Sequence, residues 1–272
     1  MKGDIKMAAT YDINNFVIDR TIRGTMLSQT DGTVLWSINQ LTNPALNCST
    51  ETEDAVDMLG TPIATFDRAK TVEFSGENAI FDLGLYAAQA GTTKEVASTE
   101  HKIVAPAFED VEVTDTQKIT LFHIPVTQVK EIHLLKADST LGDRFVNGGE
   151  ASATAFVHTA SSKEITLPTS GIKVGDFIHV IYDYESEKAV SVSNNAQSFP
   201  TTGKFVMEVL GYDICDQETQ VHAYVIMPNA KLTGDYDLNF TTTGTHPFTI
   251  KCSQAYCTKG RKLVQLVIPK ED

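Results

Sequence analysis

Turn residues recur roughly every 8–12 positions along this chain, and the runs between them are rich in β-branched and aromatic residues. This rhythm is typical of β-sandwiches and β-barrels, in which short strands alternate with tight turns. The strongest turn is Asp31-Gly32, because glycine accepts a positive φ without steric cost. It predicts a hairpin between strands at Asn15–Met26 and Thr33–Leu41. We therefore expect a mainly β fold, a sandwich or a barrel.

One segment departs from the strand pattern and predicts an α-helix over residues 78–90. Ser75–Asn78 can cap its first turn, apolar side chains from Ala79 to Ala88 form a stripe, and Gly91 follows its last turn. A single helix with such a stripe in a β-rich chain is expected to cover one face of a sheet.

The strand signals divide the chain into three segments, and its length allows one large core or two modest ones. Residues 1–106 contain the first strands and the helix. Residues 107–195 form an inserted small β-domain, and residues 196–272 return to the first segment as a closing β-meander. The predicted strands of the insertion are Ile119–Ile124, Glu131–Lys136, Ala153–His158, Glu164–Leu167 and Phe177–Tyr184. The predicted strands of the meander are Lys204–Tyr212, Gln220–Met227, Tyr236–Thr241, Phe248–Ser253 and Leu263–Ile268.

The segment Leu41–Met58 is polar and carries no strand signal of its own. Its acidic residues are Glu51, Glu53, Asp54 and Asp57. A connection of that length without secondary structure has either an intersubunit role or no fixed conformation. After it, a turn at Leu59–Pro62 leads into predicted short strands at Ile63–Asp67 and Lys70–Ser75.

The chain is acidic, with 35 acidic and 22 basic residues and a formal net charge of −13. This balance disfavours binding that is driven by phosphate groups, which needs clustered lysine and arginine. It allows nucleic acid to pass without sticking. The last 77 residues are close to neutral, with 8 acidic and 7 basic residues, and are the preferred candidate for an assembly surface.

No apolar run approaches the roughly 18 residues that a membrane-spanning helix needs. Met1–Thr10 has lysines but no apolar stretch behind them, so we expect neither a membrane span nor a signal peptide. Four cysteines are too few for a disulfide framework in a chain of 272 residues. They are expected to be buried free thiols.

The sequence contains no motif of known catalytic chemistry. It has no Gly-x-Ser-x-Gly elbow, no phosphate-binding glycine loop and no His-Glu-x-x-His pair. The seven histidines are scattered singly, and several fall in predicted strands, where packed or half-exposed side chains are expected; among them are His123, His133, His158 and His179. We expect no enzyme activity, no catalytic residue and no cofactor.

Two groups of residues could hold a metal ion by residue type, although their spacing argues against it. Thiolate and imidazole ligands suit tetrahedral zinc, and the possible set is Cys215, His222, Cys252 and Cys257. Its Cys-x6-His and Cys-x4-Cys spacings lack the tight knuckles of zinc sites. An acidic turn consists of Asp213, Asp216 and Glu218, without the twelve-residue spacing of a calcium loop. We therefore predict no metal site, and a solvated turn at 213–218.

Acidic β-sandwiches can also bind sugars on aromatic platforms, so a carbohydrate-binding module is an alternative. The chain has one tryptophan, Trp36, whose neighbours Val34, Leu35 and Ile38 are apolar. This pattern favours a core position for the indole over a sugar platform.

Several segments together resemble the tail tube proteins of tailed bacteriophages and related contractile injection systems. The matching segments are 24–29, Asp67–Ser75 leading into the predicted helix, Phe199–Lys204, and Val221–Met227 with the hairpin toward Gly234 beyond it. The middle stretch Ile165–Tyr184 is similar to β-domains that are inserted into or appended to phage structural proteins. The resemblance covers about two thirds of the chain and consists of diffuse motifs.

The resemblance implies a tail-tube-like β-sandwich or barrel with one covering helix. Residues 1–106 and 196–272 would form the tube domain, and 107–195 the insertion. Six copies would form a ring with one inner β-barrel, and stacked rings would form a tube that conducts the genome during ejection. The implied partners are further copies of the chain, other tail or virion proteins, and passing DNA that is not bound specifically. The implied location is the virion tail, assembled in the host cytoplasm.

Other virion parts share these features, namely a capsid decoration protein, a head completion protein and a neck protein. A long hairpin that reaches a neighbouring ring would separate a tube subunit from a decoration protein. Leu41–Met58 is the candidate for that element.

Overall fold

The computed structural model describes residues 13–214, 216–242, 244–256 and 260–269. Within them the chain is mainly β with one helix, which confirms the predicted fold class. The strands before the helix are β1 (Phe16–Ser28), β2 (Val34–Ile38), β3 (Leu41–Val56) and β4 (Pro62–Asn78), and the helix is α1 (Leu83–Ala90). The next strands are β5 (Glu95–Val96), β6 (Ile103–Glu112), β7 (Lys118–Thr120), β8 (Glu131–Leu135), β9 (Leu141–Asn147), β10 (Ala155–Phe156), β11 (Glu164–Thr166), β12 (Phe177–Ser186) and β13 (Val190–Ser191). The last strands are β14 (Thr202–Asp213), β15 (Asp216–Leu232), β16 (His246–Cys252) and β17 (Gln265–Val267).

The chain divides into two compact units. Unit 1 comprises the chain up to Lys94 and from Val192 onward, and unit 2 comprises Glu95–Ser191. The predicted segments divide at 106 and 195, whereas β6 already begins at Ile103 and pairs with β12 along its whole length. β6 therefore belongs to unit 2.

Unit 1 is built on one antiparallel sheet in the strand order β2-β1-β14-β15-β16-β4-β3, with β17 paired to β15. The neighbours β14, β15 and β16 form the expected meander, but β17 returns to β15 instead of extending it. The end predicted for the second meander strand at Met227 is wrong, because β15 continues through Pro228 to Leu232. A register shift in the β14–β15 ladder at this point accommodates the proline, which has no N–H to donate. The strand predicted at Tyr236–Thr241 is absent from the structure.

The core of unit 1 is an aromatic cluster that joins strands far apart in the sheet. The ring centre of Phe205 in β14 lies 5.7 Å from Trp36 in β2 and 5.3 Å from Phe74 in β4. The ring centre of Trp36 is also 5.7 Å from that of Phe248 in β16. The sheet therefore curls, and side chains from distant strands meet on its inner face. Trp36 is only 4% exposed, which confirms the core position. The buried indole is therefore not available as a platform for a sugar. Gly24 faces the Phe205 ring, where an added Cβ would lie 2.9 Å from it.

The helix begins later than the sequence predicts. Asp82 is its N-cap, and the Asp82 carboxylate accepts the Leu85 backbone N–H at 2.7 Å. The predicted cap at Ser75–Asn78 is wrong, because these residues continue β4 in its ladder with β16. The predicted end is confirmed, since Gly91 has the left-handed φ of 69° that closes a helix. Leu85 is fully buried in the aromatic core, so the helix covers the sheet as expected.

Unit 2 contains a five-stranded sheet in the order β10-β9-β8-β12-β6 and two short ladders, β11–β7 and β13–β5. Ile132 in β8, Phe156 in β10 and Ile178 in β12 are fully buried in its core. The sequence prediction missed β9, because Leu141-Gly142-Asp143 reads as a loop. In the structure Phe145 of β9 is buried in the core. The ladder between β9 and β8 extends back to Leu141.

The described part of the chain contains no helix long and apolar enough to cross a membrane.

Candidate functional site

The most prominent feature of unit 1 is a long exposed hairpin formed by β3 and β4. The two strands pair from Leu41 opposite Asn78 to Val56 opposite Pro62. Every residue from Thr42 to Val56 is exposed, and the buried alternation of β4 begins only at Val72. The distal ladder of about ten residues per strand corresponds to about 33 Å at about 3.3 Å per residue. It carries no core residue and therefore extends beyond the packed part of unit 1.

The distal hairpin is held by its ladder and by small cross-strand contacts. The Ser49 and Thr71 hydroxyls lie 2.5 Å apart, and Thr65 donates to the Asp54 carboxylate at 2.6 Å. Arg68 donates to Glu53 at 2.6 Å, an exposed ion pair that adds little stability. A two-stranded ribbon without a hydrophobic face is marginally stable in water, so its length indicates contact with another surface.

The expectation that Leu41–Met58 lacks strand structure is wrong. Residues 41–56 form β3, a strand of 16 residues whose partner is β4. The separate strands predicted at Ile63–Asp67 and Lys70–Ser75 are likewise one continuous strand. Because both faces of the distal ladder are exposed, its sequence shows no alternation of apolar and polar residues.

The tip of the hairpin is apolar and faces solvent. The Asp57 carboxylate accepts the backbone N–H groups of Leu59 and Thr61 at 2.8 Å each, which fixes the turn. Met58 and Leu59 are almost completely exposed, and Val56 and Ile63 are also exposed. Exposed apolar clusters of this kind mark interaction surfaces.

The sheet of unit 1 ends in two edge strands, β2 and β3. An edge strand presents unpaired N–H and C=O groups that can pair with another chain. β3 carries Pro44 and three carboxylates, Glu51, Glu53 and Asp54, which oppose indiscriminate pairing. These residues protect the β3 edge against uncontrolled pairing.

The possible zinc set is only partly described, because Cys215 and Cys257 lie outside the described residues. His222 contacts the Glu208 carboxylate at 2.9 Å, and Glu208 also bonds Arg23 at 2.5 Å. Burial, together with the neighbouring Cys48, raises the pKa of the Cys252 thiol to about 11. Metal binding needs a thiolate, so this shift disfavours Cys252 as a ligand.

The expectation of four buried thiols is wrong for Cys48, which is exposed on β3, and Cys252 is half-buried. In the acidic turn, Asp213 ends β14 opposite Asp216 at the start of β15. Among the described residues no three or more His, Cys, Asp or Glu side chains are placed to hold a metal ion.

The histidines predicted in strands of the insertion occupy mixed positions. His133 lies in β8 and His179 in β12, as predicted, whereas His123 and His158 lie in loops. The strand that was predicted to contain His123 ends at Thr120 in the structure, so His123 lies beyond its end.

His158 and His123 both have structural contacts in these loops. His158 is 2% exposed, accepts the Val129 backbone N–H at Nδ1 and donates from Nε2 to the Ser162 carbonyl. The His123 ring stacks on Tyr184, with ring centres 3.7 Å apart. Neither arrangement resembles a general base beside a nucleophile.

Sequence reasoning missed the buried contact that anchors the helix, formed by His246 in β16. Its Nε2 donates to the Gln89 side-chain oxygen at 2.7 Å, and its Nδ1 accepts the Asp82 backbone N–H at 3.4 Å. The Gln89 amide donates to the Pro247 carbonyl at 2.9 Å. These partners require a neutral imidazole, and burial lowers the pKa of His246 below its ordinary value of 6.5.

We expect unit 1 to lose stability as the pH falls below about 6.5, because of His246. The unfolded chain takes up the imidazole proton at its ordinary pKa, whereas the folded chain resists it, so acid favours unfolding. Thermal melts at stepped pH measure this dependence. A His246→Gln variant, which cannot titrate there, should show a shallower loss, and equal pH slopes for the two proteins would contradict the prediction.

A curled sheet with two open edges and a long exposed hairpin defines a structural subunit built for assembly with other chains. The chain belongs to the YomU/Tube protein family, whose model matches residues 16–261. This is a phage-associated family of structural tube proteins, so the resemblance to bacteriophage tail tube proteins is confirmed. No match was found among curated proteins.

Proposed function

We propose that this chain is the subunit of a bacteriophage tail tube and polymerises as stacked rings of six. The observation that carries the proposal is the distal β3–β4 hairpin, with its exposed ladder and apolar tip. Membership of a phage tube family supports assembly with further copies and with other virion proteins. The tube would belong to the virion tail, assembled in the host cytoplasm.

Ring closure uses the two sheet edges. β2 lies at one end of the sheet and β3 at the other, so an edge of one copy can face an edge of the next. Such a head-to-tail contact closes into a ring when the rotation between neighbouring copies is a whole fraction of a full turn. Closure would join the sheets into one inner barrel and cover the exposed edges of β2 and β3.

Ring stacking uses the hairpin. Its tip residues Met58 and Leu59 are apolar and exposed in the single chain, and burying them against the next ring would be favourable. The distal ladder, about 33 Å long, is long enough to cross from one ring to another. Its acidic residues Glu51 and Asp57 and their neighbours keep the free subunit soluble before assembly.

The tube would conduct the genome without binding it. The net charge of −13 repels the phosphate backbone over the tube as a whole. In unit 1, the basic Arg23 is neutralised by Glu208 at 2.5 Å. DNA would therefore pass without specific contacts.

Unit 2 would be an inserted β-domain that folds on its own. Its ends are adjacent, because β5 pairs with β13 through Val96 opposite Val190 and Glu95 opposite Ser191. The chain thus leaves unit 1 after Lys94 and returns at Val192. Its hydrophobic core is also separate from the aromatic core of unit 1.

Negative-stain electron microscopy of the purified chain tests the function. We expect rings with sixfold symmetry at low concentration and hollow polymers of stacked rings at high concentration. A chain that stays monomeric at high concentration and binds to pre-formed capsids would contradict the proposal and indicate a decoration protein.

A further inference from the structure

Two histidines lie directly opposite each other on the outer face of the five-stranded sheet of unit 2. The β12–β8 register pairs His179 with His133, and the adjacent pairs are Ile178 with Leu134 and Val180 with Ile132. Ile132, Ile178 and Val180 are fully buried, so the alternating histidines point away from the core. Directly opposed residues on one face have Cβ atoms about 4.5–5.5 Å apart, close enough for two imidazoles to reach one ion.

Each imidazole has a carboxylate at one of its two ring nitrogens. His179 Nδ1 lies 2.5 Å from the Asp110 carboxylate, and His133 Nε2 lies 3.5 Å from the Glu131 carboxylate. A carboxylate at one nitrogen fixes the tautomer and makes the other nitrogen a better ligand. This pairing of histidine with carboxylate is the usual second layer of a metal site.

The remaining nitrogens have no partner within the part of the chain that the structure describes. His133 Nδ1 is buried and accepts no hydrogen bond, and His179 Nε2 has no bonded neighbour. A buried ring nitrogen without a partner is costly unless something occupies it. Both rings line the same cavity of about 540 Å³.

The charges around the pair suit a cation. Arg144 also lines the cavity, but it bonds Glu131 at 2.6 Å and lowers the pKa of that carboxyl, so the two charges cancel. Lys130 also lines the cavity and offsets one further carboxylate, so Asp110 and Asp183 together leave the surroundings of the two rings negative by a single charge.

We propose that His133 and His179 form a two-imidazole site for a borderline divalent transition metal such as Zn²⁺ or Ni²⁺. The two imidazoles supply two ligands and water completes the coordination, which suits ions that favour nitrogen ligands over those that favour oxygen. Asp110 and Glu131 are positioning residues that hold the rings. The site lies wholly in unit 2 and does not depend on the proposed tube function.

Isothermal titration of the full chain with Ni²⁺ at about pH 7.5 tests the site. We expect saturable binding of one ion per chain, and weaker binding at about pH 5.5, because protons compete with a metal ion for imidazole nitrogens. His133→Gln and His179→Gln should each remove this binding, and Asp110→Asn should weaken it about 10–100-fold. The pH dependence uses the unaltered chain and so does not rely on any variant folding.

Two control variants separate this site from other sources of binding. His101→Gln removes a histidine that also contacts a carboxylate, Glu95, but lies outside the β8–β12 ladder, and should leave binding unchanged. Cys252→Ser should also leave it unchanged. No saturable binding at millimolar Ni²⁺, binding that survives both single histidine variants, or loss of binding in Cys252→Ser would each overturn the proposal.

Discussion

Replacing residues 50–70 of the β3–β4 hairpin by an Asn-Gly turn is expected to abolish tube assembly while the subunit stays folded. Ser49 and Thr71 are opposite each other in the ladder, so a two-residue type I′ turn can join them directly. All of the removed residues are exposed, so the aromatic core loses no contact. Electron microscopy should show no polymers, and the melting temperature should change by only a few degrees.

A second variant separates the length of the hairpin from the chemistry of its tip. Met58→Ser combined with Leu59→Ser keeps the ladder and removes the apolar tip, and should weaken stacking while leaving single rings. Leu141→Ser removes an apolar, half-exposed side chain from unit 2 and should leave assembly unchanged. Polymers of normal length from the shortened hairpin would rule out its role in stacking.

Replacing Phe205 by alanine should destabilise unit 1 by about 3–5 kcal/mol, the usual cost of emptying a buried phenylalanine site. Phe205 has no exposed surface and contacts the rings of Trp36 and Phe74. For a unit of this size the loss corresponds to a fall of roughly 10 °C in the melting temperature. Differential scanning calorimetry measures it directly.

The matched variant is Phe156→Ala, which empties an equally buried site in the core of unit 2. If the units fold independently, each variant lowers one of two calorimetric transitions and leaves the other in place. A single transition that both variants shift together would contradict independent folding of unit 2.

The fold class follows from the sequence because strand and turn chemistry are local. Gly91 illustrates this, since a left-handed φ at a helix end favours glycine whatever surrounds it. The position at which the helix starts depends instead on residues that are distant in sequence. Ser75–Asn78 has good capping chemistry, but its backbone pairs with β16 about 170 positions later in the chain, and the ladder prevails.

The candidate site is harder to predict, because it depends on exposed and paired surfaces. The distal hairpin has no buried face, so periodicity gives no strand signal, and only its pairing with β4 reveals β3. His133 and His179 are single histidines in sequence, and only the β8–β12 register brings them together.

The adjacent ends of unit 2 have a practical consequence. Because Val96 pairs with Val190, whatever lies between them begins and ends at nearly one point, and exchanging it adds little loop-closure entropy to unit 1. Another domain with neighbouring termini could therefore be grafted at Lys94 and Val192. In the proposed tube of repeated subunits, such a graft would be displayed once per copy at a fixed spacing, as a regular nanoscale array.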